Sequence, residues 1–177
     1  RKDLNKSAID LDQPFAGKSM IMIFEKPSTR TRISFDISAK QLGGSTIILN
    51  PDGIHYGKGE ESIKDTAKVL SMYADIVMIR TSLHKNLIEF AKYSDIPVIN
   101  GLSEQSHPCQ VMSDILTYEE IKGNIKDKTI TWLGDGNNNM SNSLIEASAK
   151  FGFKLNIGCP DIYKPSKNIV AWAKKNK

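Results

Sequence analysis

Met20-Ile21-Met22-Ile23-Phe24 runs directly into Glu25-Lys26-Pro27-Ser28-Thr29-Arg30-Thr31-Arg32, and from there into Ile33-Ser34-Phe35-Asp36-Ile37-Ser38-Ala39-Lys40-Gln41-Leu42. Five consecutive apolar residues bounded by polar turn residues read as a strand. Phe35, Ala39 and Leu42 then recur at i, i+4 and i+7, so residues 29–42 read as a helix. The same alternation continues along the chain. Strands are expected at 20–24, 46–49, 76–79, 97–99, 129–133 and 154–157, and helices at 29–42, 62–73, 84–93, 109–121, 141–151 and 166–175. Continuous apolar strands alternating with helices imply an α/β fold, with parallel sheets covered by helices on both faces.

The helix at 109–121 is expected to turn Met112, Ile115, Leu116 and Glu119 to one side. The polar stretch 119–128, EEIKGNIKDK, is the expected boundary. One α/β unit precedes it, and the beginning of a second, holding two strands, follows. In open α/β sheets ligands gather at the carboxyl ends of the strands. That rule directs attention to the loops 25–28, 50–61, 80–83, 100–106 and 134–140.

Composition narrows the classes. The chain has 177 residues, of which 40% are apolar, 25% charged and 7% aromatic, the profile of an ordinary globular protein. The longest uninterrupted apolar run is residues 20–24, far short of a bilayer span. The net charge of +4 comes from twenty lysines scattered among acids and only four arginines, Arg1, Arg30, Arg32 and Arg80. A nucleic-acid binder would show a clustered basic stripe, so no nucleic acid is expected. Two cysteines, Cys109 and Cys159, cannot build a disulfide framework, which fits a reducing, cytoplasmic compartment. No secretory leader is expected. The first residue is Arg and the last four continue a helical pattern, so a piece of a longer chain is expected.

Three segments carry chemistry. In the first, Ser28 suits an N-cap, and the first-turn N–H groups after it have no intrahelical partner. Hydroxyls and arginines at such a helix start suit a phosphate dianion, gripped bidentately by guanidinium. A capped surface helix with two solvated arginines would present the same string. In the second segment, His107-Pro108-Cys109-Gln110, Pro108 suits the first helical turn. A histidine there can donate to a carbonyl oxygen and a glutamine can hold an amide. A simple His-Pro turn before a buried helix is the alternative. His107 and Cys109 alone do not make a metal site. The third segment, Leu133-Gly134-Asp135-Gly136-Asn137-Asn138-Asn139, half resembles a dinucleotide loop, but Asn139 stands at the third glycine position and no acid ends the next strand. An amide-rich loop binding the polar end of a small ligand is the better reading. Arg80, right after the third strand, and His55, in the 52–59 loop, share the same sheet edge by address.

Four stretches together resemble the carbamoyltransferase family, in its ornithine branch. They are FEKPSTRTRISFD (residues 24–36), ESIKDTAKVLS (61–71), INGLSEQSHPCQ (99–110) and LGDGNNNMSNS (133–143), in family order and at family-like spacing. The resemblance implies a two-domain α/β enzyme. Residues 1–121 would be the carbamoyl phosphate-binding domain and 122–177 the start of an incomplete ornithine-binding domain. It implies transfer of the carbamoyl group to the δ-amine of ornithine, giving citrulline and phosphate, as in arginine biosynthesis. It implies a homotrimer with shared active sites, no metal and no organic cofactor.

Residue by residue, Ser28, Thr29, Arg30 and Thr31 fall on the phosphate-binding motif, and Arg80 on an arginine that contacts carbamoyl phosphate. His107, Pro108, Cys109 and Gln110 fall on the motif holding the carbamoyl group, with Arg30, Arg80 and His107 as the catalytic set. His55 falls on a residue lent by a neighbouring subunit. Asn139 falls on the asparagine that binds the amino-acid end of ornithine, with Asn138 as the alternative register. The stretch 57–65 is one residue longer than is usual in the family, and the family's later acceptor-binding motifs lie outside these 177 residues. The competing readings are a carbamoyltransferase using aspartate or an acylated ornithine, and a non-catalytic anion- or nucleotide-binding α/β module.

Overall fold

The computed structural model describes residues 8–50 and 61–177. Contacts divide the chain into two compact units, Arg1–Gly101 and Leu102–Lys177. The first unit is built on a four-stranded sheet. In chain order it runs β1 (Ser19–Phe24), α1 (Thr29–Gln41), β2 (Ser45–Leu49), α2 (Ile63–Ser71), β3 (Ile76–Arg80), α3 (His84–Tyr93) and β4 (Val98–Leu102). The strand order is β2-β1-β3-β4, so the opening apolar run lies inside the sheet. β1 pairs in parallel with both neighbours, Ser19 opposite Ser45 on one side and Phe24 opposite Arg80 on the other.

The alternation of a strand's side chains explains why β1 is apolar from Met20 to Phe24. Ile21 and Ile23 pack with Val77, Ile79 and the α2 and α3 residues Ala67, Leu87 and Phe90. Met20, Met22 and Phe24 pack with Met78 and with Phe35 of α1. Both faces of the sheet are therefore covered by helices, as expected for parallel strands.

The second unit contains α4 (Pro108–Lys122), β5 (Thr129–Leu133), α5 (Asn139–Phe151), β6 (Lys154–Gly158), a 3-10 turn at Asp161–Tyr163 and α6 (Lys167–Lys175). β5 and β6 pair in parallel, Thr129 opposite Lys154. Val111 and Ile115 of α4 pack with Ile125, Ala147 and Phe153. On the other side of α5, Ile145 and Ala149 pack with Ala173 of α6. Among the described residues no helix is long and apolar enough to cross a membrane.

One expectation needs correcting. The buried side of α4 carries Val111 and Ile115, while Met112 and Leu116 are 53% and 60% exposed. α4 finds its apolar partners on α5 and in the segment before β5, which local composition does not reveal.

Gly101 marks a close approach between strands. A Cβ there would lie 2.3 Å from the Met78 sulfur and 3.3 Å from the Ile79 carbonyl oxygen. Met78 is fully buried, so its thioether can move only by displacing its packed neighbours. Gly101→Ala is expected to cost about 1–3 kcal/mol by overpacking. Denaturant unfolding of the intact protein measures this, and unchanged stability would show that Met78 repacks freely.

Candidate functional site

The register of β1 on β3 builds the first part of the site. Because Phe24 is opposite Arg80, the loop leaving β1 and the end of β3 emerge side by side. The Glu25 N–H donates to the Arg80 carbonyl at 2.9 Å and fixes that junction. Three residues later Ser28 caps α1 in extended conformation, its hydroxyl accepting from the Thr31 N–H at 3.3 Å. Thr29 and Arg30 occupy the first turn, where N–H groups have no intrahelical acceptor, and both side chains are exposed. The positive end of the helix dipole and two hydroxyls therefore converge beside Arg80.

Arg80 is half-buried, and its Nη1 donates to the Thr31 hydroxyl at 3.2 Å. Its Nε is buried with no hydrogen-bond partner among the described residues. Burial pulls the guanidinium below its ordinary pKa, and the charge of nearby Arg30 pulls it further. A desolvated donor beside a like charge is unfavourable for a protein by itself. An anion placed here would accept from Nε and neutralise the mutual repulsion. Sequence reading missed the brace around this arginine. The Glu25 carboxylate accepts from the Thr81 hydroxyl at 2.6 Å and from the Ser82 N–H at 3.2 Å, and Thr81 is fully buried. Its only sequence signal was an acid next to S-T-R-T-R.

The second unit holds the other residues singled out. His107 is the N-cap residue of α4 and Pro108 its first residue, so proline stands where no N–H is needed. The His107 N–H donates to the Ser143 hydroxyl at 2.7 Å. Burial pushes the half-buried Cys109 thiol above its ordinary pKa, the opposite of what an activated thiolate requires. Gln110 is exposed and its amide donates to Asp114 at 2.9 Å.

Asn139 opens α5 and donates to the Ser103 carbonyl at 3.0 Å. Asn138 is committed to structure. It caps α5, accepting from the Met140 and Ser141 N–H groups at 2.8 and 3.0 Å, and donates to the Asp135 carbonyl at 2.8 Å. Of the two registers left open by sequence, Asn139 is the side chain not spent on the cap. His55 lies outside the described residues. Among the described residues no group of three or more His, Cys, Asp or Glu side chains could hold a metal ion.

Thus Ser28, Thr31 and Arg80 come together within the first unit, with Arg30 near. His107, Pro108, Cys109, Gln110 and Asn139 belong to the second.

Comparison with known proteins gives a consistent result. Residues 2–120 match the family described as aspartate/ornithine carbamoyltransferase, carbamoyl-P binding domain. Residues 126–177 match the corresponding Asp/Orn binding domain. Ornithine carbamoyltransferase of Brucella ovis is 52% identical over 167 residues, covering 94% of this chain and 53% of its own length. The Rhizobium meliloti protein of the same name is 51% identical, covering 99% of this chain and 57% of its own. The solved structure of ornithine carbamoyltransferase from Pyrococcus furiosus superposes with a TM-score of 0.87 at 44% identity, covering 93% of this chain and 52% of that one. The chain spans about half the length of the curated relatives it matches.

The orphaned Arg80 donor yields a ligand prediction. Inorganic phosphate is expected to raise the melting temperature of the intact protein, by about 2.7 kcal/mol of added stability at one hundred times its Kd. Arg80→Gln should abolish the rise. Thermal unfolding in phosphate against chloride of equal ionic strength measures it, and an equal rise in the variant would place the anion elsewhere.

Proposed function

The chain belongs to the aspartate/ornithine carbamoyltransferase family, and from that premise we propose that it takes part in transferring a carbamoyl group from carbamoyl phosphate to the δ-amine of ornithine. The observation that carries this reading is the Arg80 guanidinium, desolvated, beside Arg30 and short of an acceptor at the start of α1. That is the electrostatic signature of a site that waits for a dianion.

The phosphate sits on the first turn of α1, between Ser28 and Thr31, and is clamped by Arg30 and Arg80. Both arginines offer planar forks that match phosphate oxygens two at a time. Thr31 accepts from Arg80 through its oxygen and so keeps its own proton to donate. His107 acts with Arg80 and Thr31 on the carbamoyl oxygen, and Gln110 holds the carbamoyl amide. The neutral δ-amine attacks the carbonyl carbon. A C–N bond forms, charge gathers on the carbamoyl oxygen, the C–O bond to phosphate breaks, and the proton lost by the nitrogen passes to the departing phosphate. Fixed donors aimed at that oxygen supply the largest share of such catalysis. Holding both reactants removes most of the remaining entropic barrier.

Asn139 binds the amino-acid end of ornithine, and the motif positions support that assignment over Asn138. Residues 1–121 serve as the carbamoyl phosphate domain and 122–177 contribute to the acceptor domain. The whole protein acts as a cytoplasmic homotrimer in arginine biosynthesis, with His55 serving a neighbouring subunit's site. The family resemblance of the motifs supports this part of the reading, and the scarcity of cysteine supports its compartment.

Product identification tests it. The intact protein, given carbamoyl phosphate and ornithine, aspartate or an acylated ornithine in turn, is expected to form citrulline from ornithine. His107→Ala should lower turnover on the order of 100-fold or more while sparing phosphate binding. Mass spectrometry and a citrulline assay measure both. A product from another acceptor, or an undiminished His107→Ala enzyme, would contradict the reading.

A further inference from the structure

We infer that Ser143 is a positioning residue for His107, and that one face of α5 shapes the loop from which His107 acts. The inference rests on the reading of His107 as a donor to the carbamoyl oxygen.

The Ser143 hydroxyl accepts the His107 N–H at 2.7 Å, the shortest of three bonds that α5 sends to this segment. The Asn139 amide donates to the Ser103 carbonyl and the Asn142 amide to the Gln105 carbonyl, each at 3.0 Å. Positions 139, 142 and 143 are i, i+3 and i+4 on a helix, so they share one face. Their partners, 103, 105 and 107, are alternate residues of the incoming loop. A rigid ladder of three side chains thus registers the loop against the helix.

The loop is also closed on itself. The Ser103 N–H donates to the Ser106 carbonyl at 2.9 Å, and the Ser106 N–H donates to the Ser103 hydroxyl at 3.2 Å. Ser103 is fully buried and Ser143 is 3% exposed, so the bonds at these two serines are shielded from water, while the Asn142–Gln105 bond is exposed. His107 makes no side-chain cap bond to α4, and Pro108 behind it has no N–H to give. The His107 carbonyl accepts from the Val111 N–H of α4 at 3.5 Å, and its N–H is held from the α5 side by the Ser143 hydroxyl. An imidazole one bond from that anchored Cα inherits its placement. A misplacement of a donor by 1 Å is enough to cost a large factor in rate.

The expected effect falls on turnover. In the intact protein Ser143→Ala should lower kcat about tenfold and leave the KM for carbamoyl phosphate within about threefold, because the oxyanion contact is made chiefly in the transition state. The His107 amide should exchange its hydrogen at least about tenfold faster once its acceptor is gone. In a His107→Ala background, Ser143→Ala should cost nothing more. A structural role alone would lower the melting temperature and speed that exchange, but leave kcat unmoved in folded protein.

Asn142→Ala releases the same loop at Gln105 without touching Ser143, and keeps the test open if Ser143→Ala does not fold. It should lower kcat in the same direction and also lose its effect beside His107→Ala. If His107→Ala is inactive but both α5 variants keep full turnover, the positioning role is overturned while the proposed function stands. Equal losses with and without His107 would overturn it as well. If His107→Ala itself keeps full turnover, the parent reading fails first and takes this one with it.

Discussion

Arg30 is held close enough to Arg80 at one sheet end for Arg80 to feel its charge, and Arg80 is partly out of water. Like charges in a desolvated setting do not assemble spontaneously. The surrounding structure has to impose the arrangement. It does so with a fully apolar β1 that forces the parallel register Phe24 to Arg80, with Ser28 capping α1, and with Glu25 gripping Thr81 and Ser82 beyond the strand. The packing of β1 on both faces supplies the stability against which this local cost is set.

Under the proposed function the second unit answers a different requirement. A donor to a developing oxyanion needs a fixed direction more than it needs charge. α5 supplies fixity through a capping box at Asn138 and Ser141, and through the three side chains that hold residues 103–107. The two asparagines at the start of that helix divide the work. Asn138 is consumed in satisfying the helix start, and Asn139 reaches the Ser103 carbonyl of the incoming loop. Cys109, between two residues of interest, is made less reactive by burial and contributes volume.

Much of this was legible in the sequence because the signals were local. The strand at 129–133 and the helix at 84–93 were read to their observed ends. Ser28, Pro108 and the apolar run of β1 each declare their position through the chemistry of one or two neighbours. What could not be read depended on partners far along the chain. β4 extends through Asn100, Gly101 and Leu102, which carry no strand preference and are held by the neighbouring β3. The buried side of α4 is set by α5 and Phe153, partners far along the chain. Glu25, Thr81, Asn142 and Ser143 are ordinary residues in sequence, and only their pairing gives them a role.

The central claim is that Arg80 is kept for a ligand at some expense to the unliganded fold. Equilibrium unfolding of the intact protein in anion-free buffer tests it most directly, comparing Arg80 with Arg80→Met. Methionine keeps the apolar stem, gives up the bond to Thr31, and removes the desolvated charge beside Arg30. The account predicts unchanged or higher stability, with phosphate binding lost. A loss of about 3 kcal/mol or more would mean that Arg80 holds the fold together, and would contradict the claim.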